Sequence, residues 1–412
     1  MTIASEHNSR PETHAAQLGR GALGALSVVE FGEGTAAAYT AKLLADFGAD
    51  VVKVERPQGD PTRRRGPFPD GKPDPDASGL FMYLNANKRG VVLDVEAGEG
   101  AEALDRLLKS VDIFVTDVAP NVLRAAGCDP EALRRRHPRL IVATLSPFGR
   151  GGPWSDWRGD ELIAYAASGM AYGTPGIPDA AEDLDGEPPL HPSCFASETI
   201  AGASAAVAVM TAVTGRRHTG EGCHLDLSFQ AASAAVQIRD LMPASYGSAV
   251  YNRLLNPTSI GRMPNFYLSC QDGYVTIAAP MDIHWNRLAE AMGNPEWARS
   301  ADFATEPARA RNWIELRERL ATWAMGCTRA QLQSIGERYG LMMFPFHSIR
   351  QMAESDHARD RASLVDFSVG NRPAQMPGAP FKMAATPWSL RRPAPRFSPE
   401  DDAGIAPIGE VA

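Results

Sequence analysis

Apolar and polar positions change over in blocks along the first 150 residues, and the blocks predict alternating strands and helices. Residues 26–56 read as strand, helix, strand: ALSVVEF and ADVVKVE are short apolar runs, and GEGTAAAYTAKLLADFG between them is a loop entering an amphipathic helix. Leu43, Leu44 and Phe47 recur at helical spacing, and Gly48 stands where a helix would end. Two strands joined by a helix in this way should lie parallel. The alternation continues through helix GEGAEALDRLLKSV, strand DIFVTDV, helices PNVLRAAG and DPEALRRRHP, and strand RLIVATLS. The pattern over 26–146 is that of a doubly wound α/β domain, whose ligands bind at the C-terminal ends of the strands.

From residue 147 turn residues, aromatic residues and acids take over, in loops of a kind that often carry function. The stretch 192–214, PSCFASETIAGASAAVAVMTAVT, then predicts a helix of small residues with one carboxylate, Glu198, at its mouth and Ser197 or Thr199 as its cap. A short strand and a helix follow in RRHTGEGCHLDLSFQAA, and NFYLSCQDGYVTIAAP predicts a β-hairpin turning at Asp272 and Gly273. Helical pattern fills 284–338, and the proline-rich tail from about 340 is expected to wrap back over the molecule.

Composition narrows the function. A chain of 412 residues suggests two or three domains, and a net charge of -8 leaves no basic excess for general nucleic-acid binding. The longest apolar run, 199–214, is broken by Gly202 and by Ser and Thr, so no membrane span is expected. The polar stretch 1–19 reads as a flexible lead-in without the apolar core of a signal peptide. Five scattered cysteines without a CxxC pair, and nine histidines without a metal-binding spacing, fit a cytoplasmic protein with free thiols and no metal.

Four groups of residues could carry function, and each has a plain structural reading beside it. Glu198 is a first-turn acid of the sort any helix favours, or a reacting carboxylate. Asp160 and Glu161 open the helix ELIAYAASG as a capping pair, or serve catalysis. Arg56, Arg63, Arg64, Arg65, Lys88 and Arg89 are a solvated basic loop, or a cradle for a phosphorylated ligand in an otherwise acidic protein. Trp154, Trp157, Tyr165 and Tyr172 are core, or the lining of a substrate pocket.

An ordered series of motifs adds to these readings. VVEFGEGTAAAYTAKLLADFGADVVKVERPQGDPTR, LNANKRGVVLDV, HPRLIVATLSPFGRGGP, AASGMAYGTPG, the Glu198 segment with TGEGCHLDLS, DGYVTIAAP with HWNRLAEAMG, and MPGAPFKM succeed one another over roughly 25–395. In this series the chain resembles the family III CoA-transferases, the group of formyl-CoA transferase and carnitine CoA-transferase with the related α-methylacyl-CoA racemases. The resemblance implies a large Rossmann-like α/β domain built from both ends of the chain, 20–225 with 345–412, and a smaller α+β domain at 226–344. It also implies an interlocked homodimer, with pairing to a homologous subunit as the alternative. No tightly bound cofactor is implied; coenzyme A and acyl-CoA are substrates, with a carboxylic acid as acceptor.

The resemblance assigns roles residue by residue. The family nucleophile is an Asp four residues before a Gly, and Glu198 holds that place before Gly202. Glu33, Gly34, Thr35 and Ala36 match the segment whose backbone approaches the thiol end of CoA, and Arg56 matches an arginine on its nucleotide. Leu93 opens a further nucleotide-contact stretch, in which Glu96 replaces a basic residue. Ala125 replaces a family arginine, with Arg124 beside it; Arg63, Arg64 and Arg65 stand as compensating cations, with Lys88 in the same basic cluster. Glu161 matches a position often acidic in the transferases, and Asp160 stands where the racemases carry a His base. The implied activity is transfer of CoA from an acyl-CoA to a carboxylic acid through a carboxylate-bound intermediate. The alternatives are an acyl-CoA racemase or isomerase, and a non-catalytic subunit of a heteromeric transferase.

Overall fold

In a computed structural model of the chain, the fold is described for residues 21–173, 190–246, 264–369 and 372–398. Six strands form one sheet: β1 (Ser27–Phe31), β2 (Asp50–Glu55), β3 (Lys88–Val92), β4 (Ile113–Thr116), β5 (Ile141–Ser146) and β6 (His224–Ser228). Their order is β3-β2-β1-β4-β5-β6, and every neighbouring pair runs parallel. The parallel βαβ reading of 26–56 holds.

The strands are apolar on both faces because helices cover both. On one face Val28, Val51, Ile113 and Ile141 pack with helix α1 (Thr35–Asp46). On the other, Val29, Val52, Phe114 and Val142 pack with Leu104, Leu107 and Leu108 of α2 (Gly98–Lys109), Leu123 of α3 (Pro120–Ala125) and Leu133 of α4 (Pro130–Arg136). The alternation of Val28 and Val29 between the two cores is the two-residue period of a strand sandwiched between helix layers.

Helix α5 (Glu161–Ala167) precedes α6 (Ala196–Thr219), which lies in the first core beside α1, and α7 (Phe229–Ala235) follows β6. Helix α6 outruns the apolar stretch 199–214 because the polar turn GRRHT continues it, and its 24 residues, with mean hydropathy 1.4 over the most apolar window, are long and apolar enough to cross a membrane. One face of it, Ala201, Ala205, Val209 and Val213, is instead core of this unit. Gly202 makes the fit possible: a Cβ there would lie 2.8 Å from the Ala36 carbonyl oxygen and 3.2 Å from the Tyr39 ring.

The chain divides into two compact units, the first taking residues up to 170, 192–237 and 360 onward, the second 171–191 and 238–359. Of the tail expected to wrap back, residues up to 359 belong to the second unit, while in the first Asn87 Oδ1 accepts the Arg391 N–H at 2.7 Å and Arg63 donates to the Pro395 carbonyl at 3.0 Å. A hairpin of β10 (Leu364–Val369) and β11 (Arg372–Pro377) belongs to the same unit.

The second unit has its own core. The predicted hairpin is β7 (Asn265–Cys270) and β8 (Gly273–Ala278), joined antiparallel by β9 (Met342–Pro345), a strand that the proline-rich tail concealed. Trp285, Leu288, Leu316, Leu320 and Leu332, from helices α8 (Asp282–Ala291), α9 (Trp313–Met325) and α10 (Arg329–Tyr339), cover one face of that sheet.

Candidate active site

The strand order reverses direction between β1 and β4, and a crevice opens outside their carboxyl ends at such a point. The turn Gly32-Glu33-Gly34 leaves β1 there and enters α1, while Asp117 leaves β4. The N-terminus of α6 delivers Glu198 to the same place. Its Oε2 accepts the Thr35 N–H, the first amide of α1, at 2.9 Å, and Glu198 is 7 % exposed. Free helix N–H groups and the helix dipole favour a carboxylate here.

Burial pushes the Glu198 carboxyl above the ordinary carboxylate value. Contacts with Thr35 oppose that, the charge of Glu161 adds to it, and Arg65 pulls it back. The Thr35 side chain is buried beside it and, with the Thr35 amide, favours the charged form. The site therefore presents a desolvated carboxylate held by the first residue of α1.

Glu161 fixes the backbone of this arrangement from another helix. Its carboxylate accepts the Ser197 N–H at 3.0 Å, the Ser197 hydroxyl at 2.6 Å and the Glu198 N–H at 2.8 Å. Neither Ser197 nor Thr199 caps α6, as the sequence had suggested: the N-cap is Phe195, without a side-chain bond, and the cap comes from Glu161. Asp160 has the plain role of the pair, capping α5 through the Ile163 N–H at 3.2 Å from an exposed position.

The three segments assigned to CoA by resemblance meet. Arg56, following β2, lies 2.8 Å from Glu33 Oε1 and 3.5 Å from Glu96 Oε1, so the β1 turn, the end of β2 and the stretch after β3 converge on one guanidinium. Within them Gly34 borders the carboxylates, a Cβ there falling 2.9 Å from Asp117 and 3.9 Å from Glu198, while Ala36 and Leu93 are buried and serve packing.

The basic cradle does not assemble as expected. Lys88 is 1 % exposed and gives its charge to Glu30 Oε2 at 2.7 Å, with further bonds to the Ala38 carbonyl and Asn85. Glu30 also holds Lys53 at 2.7 Å, so a β1 carboxylate neutralises cations of β2 and β3 inside the sheet layer. Arg63 is bidentate to Glu55, at 2.7 Å on both nitrogens, with its guanidinium carbon 3.6 Å from the centre of the Phe81 ring. These two cations are spent on structure, because strands buried on both faces tolerate charge only in pairs. Arg124 is exposed on α3.

One residue of the site went unnoticed in the sequence, and another was read there only as part of the basic cradle. Asp117 accepts the Glu33, Gly34 and Ala37 amides at 2.7, 3.3 and 3.1 Å, and burial pushes its carboxyl up to about 6 against the pull of those amides. Its signal was its place, a short acid directly after a strand at the reversal. Arg65 is exposed, has no carboxylate within ion-pair distance among the described residues, lies 5.8 Å from the Phe195 ring, and bears electrostatically on Glu198. Of the aromatic candidates, Trp154 and Trp157 stack at 5.2 Å with partial exposure, Tyr165 is core, and the Tyr172 side chain lies outside the described residues. No cluster of metal-binding side chains occurs among the described residues.

The sequence profile of the CoA-transferase family III matches residues 23–400. The chain belongs to that family. It is 29% identical to the succinyl-CoA–D-citramalate CoA-transferase of Chloroflexus aurantiacus, over 88% of each chain. It is also 29% identical to the BbsE subunit of succinyl-CoA:(R)-benzylsuccinate CoA-transferase from Thauera aromatica, over 87% of this chain and 88% of that one. A formyl-CoA:oxalate CoA-transferase of Rhodopseudomonas palustris is 29% identical over 90% of each. Among solved structures, a CAIB/BAIF family protein from Brucella suis superposes with a TM-score of 0.80 at 25% identity, covering 92% of this chain and 97% of that one.

Proposed function

We propose that this family III member transfers CoA from an acyl-CoA to a carboxylic acid, with Glu198 as nucleophile. One observation carries the reading: a buried carboxylate stands at the reversal point of the sheet, oriented by the first amide of α1, with its own amide held by Glu161. Relatives named for transfer between succinyl-CoA or formyl-CoA and organic acids support the substrate class.

A Glu198 oxygen attacks the acyl-CoA carbonyl, and the C–S bond breaks to give an acyl-glutamyl anhydride and CoA thiolate. The thiolate attacks the Glu198 carbonyl carbon, releasing the donor acid and leaving a glutamyl-CoA thioester. The acceptor carboxylate attacks that thioester, giving a new anhydride and thiolate. Attack of the thiolate on the acceptor's acyl carbon then forms the product and returns the Glu198 carboxylate. Covalent catalysis of this kind divides one difficult exchange into easier ones. The buried setting suits it, since a desolvated carboxylate is a stronger nucleophile and water is kept from the anhydride.

CoA lies, in this reading, along the turn 33–36, Arg56 and the stretch from Leu93, with acyl-CoA as substrate and no resident cofactor. Arg65 is the cation that meets a substrate carboxylate. The assembly is a homodimer, interlocked as the resemblance implies, which would cover Leu162, Ile163 and Val207, now 53%, 48% and 69% exposed on α5 and α6. Sedimentation of the purified chain tests this: a monomer at micromolar concentration contradicts it. A second reading, one subunit of a heteromeric transferase, is favoured by relatives named as subunits.

A panel of acyl-CoA donors against carboxylate acceptors, read by mass spectrometry, tests the function. Exchange by the chain alone, abolished in Glu198→Gln, is expected. Exchange only after adding a homologous chain selects the second reading, and full activity in Glu198→Ala removes Glu198 as nucleophile.

A further inference from the structure

Four amides at the start of α1 are divided between two carboxylates, and the division is uneven. Asp117 Oδ1 accepts the N–H groups of Glu33 and Gly34, and Oδ2 accepts that of Ala37, while the Thr35 N–H alone turns to Glu198 Oε2. The turn carrying them contains Gly32 and Gly34, and Gly34, the N-cap of α1, has no side chain to cap it. Glycine-rich backbone of this kind loses much freedom on ordering and needs an external hold. Asp117 provides it from β4, across the reversal point of the sheet.

We infer that Asp117 is the positioning residue of acyl transfer: by clamping three amides of the β1–α1 turn it leaves the fourth aimed at the Glu198 carboxylate. Its action on the reaction runs through Thr35. The geometry allows little slack, since a Cβ on Gly34 would come 2.9 Å from Asp117 Oδ2. An asparagine at 117 keeps an oxygen for the Glu33 and Gly34 amides but sets an NH₂ against the Ala37 N–H; alanine keeps neither. The inference rests on Glu198 being the nucleophile.

The experiment compares wild type, Asp117→Ala, Asp117→Asn and Glu198→Gln by amide hydrogen exchange over 32–38, and the first three by steady-state kinetics with acyl-CoA. In Asp117→Ala, exchange at Glu33, Gly34 and Ala37 should rise at least about tenfold as local opening becomes easier. Its kcat should fall about a hundredfold, the loss expected for misplacement near 1 Å, with KM for acyl-CoA within about threefold. Asp117→Asn should recover at least about tenfold of the lost kcat, because two of three amides regain an acceptor. Glu198→Gln should leave exchange at Glu33, Gly34 and Ala37 unchanged. A folded Asp117→Ala with wild-type exchange or wild-type kcat overturns the inference, as does a loss confined to KM or one that Asn does not relieve. Should Asp117→Ala fail to fold, Asp117→Asn decides alone: faster Ala37 exchange with a kcat about three- to tenfold down supports the clamp, and wild-type values of both overturn it. Failure of the underlying reading shows separately, as wild-type enzyme that forms no acyl-Glu198 while the exchange differences persist.

Discussion

Removing the Glu161 carboxylate should loosen the protein and disable the nucleophile together. The carboxylate meets three donors at the N-terminus of α6, at 2.6, 2.8 and 3.0 Å, and is 7 % exposed. Hydrogen bonds to a charged group contribute about 1.5–3 kcal/mol each, and buried donors left without a partner cost about 1–3 kcal/mol. Relaxation and entering water recover part of the sum, so Glu161→Ala is expected to destabilise the first unit by about 3–5 kcal/mol. Glu161→Gln keeps one accepting oxygen and should cost about 1–2 kcal/mol. Asp160→Ala is the control, removing a single exposed cap at about 1 kcal/mol. Urea unfolding followed by a probe in the first unit measures the three. Glutamine also removes a negative charge that raises the Glu198 pKa. The acid limb of kcat, set by ionisation of Glu198, should therefore move to lower pH in Glu161→Gln. Glu161→Ala no less stable than Asp160→Ala, or an acid limb that does not move in Glu161→Gln, would refute the reasoning.

Four further outcomes are expected. Glu198→Asp withdraws the carboxylate from the Thr35 amide by about one C–C bond, so kcat should fall about a hundredfold; an Asp variant as active as wild type means the geometry is not tuned to Glu. Gly202→Ala forces α6 away from the Ala36 carbonyl and Tyr39 and should cost about 1–3 kcal/mol in thermal or urea unfolding, against no change if the helices have room. Lys53→Met leaves Asp60 without its cation and Glu30 with Lys88 alone, costing about 3–5 kcal/mol. Burial alone would raise both carboxyls, but Lys53, with Lys88 at Glu30, holds them below the ordinary value, so wild-type stability from them is present above about pH 4 and is lost as pH falls through the lowered values; an acid unfolding curve unchanged by Lys53→Met would contradict this. Arg65→Ala should raise KM for the acceptor acid about tenfold and leave acyl-CoA KM unchanged, and the reverse pattern would place Arg65 on CoA instead.

How far the sequence could be read follows from which interactions are local. Strands buried on both faces are continuous apolar runs, and an amphipathic helix shows its period, so the first βαβ unit could be read directly. Gly202 and Glu198 were found as neighbours in a motif, but that Gly202 exists to admit α1 is a contact between helices far apart in sequence. The same distance hid Glu161 as the cap of α6 and Asp117 as the clamp of α1, because in each case the donors and the acceptor lie on different elements. Lys88 and Arg63 misled for the converse reason. Cations near one another in sequence resemble an anion site, but Glu30 becomes a neighbour of Lys88 only when β1, β2 and β3 pair, and Arg63 meets Glu55 only when the turn after β2 folds back on it.

The most direct test of the account is the mass of the peptide containing Glu198 after quenching turnover with hydroxylamine. An activated Glu198, as anhydride or thioester, should be converted to its hydroxamate only in the presence of acyl-CoA. A peptide that stays unmodified while CoA exchange proceeds would contradict the central claim.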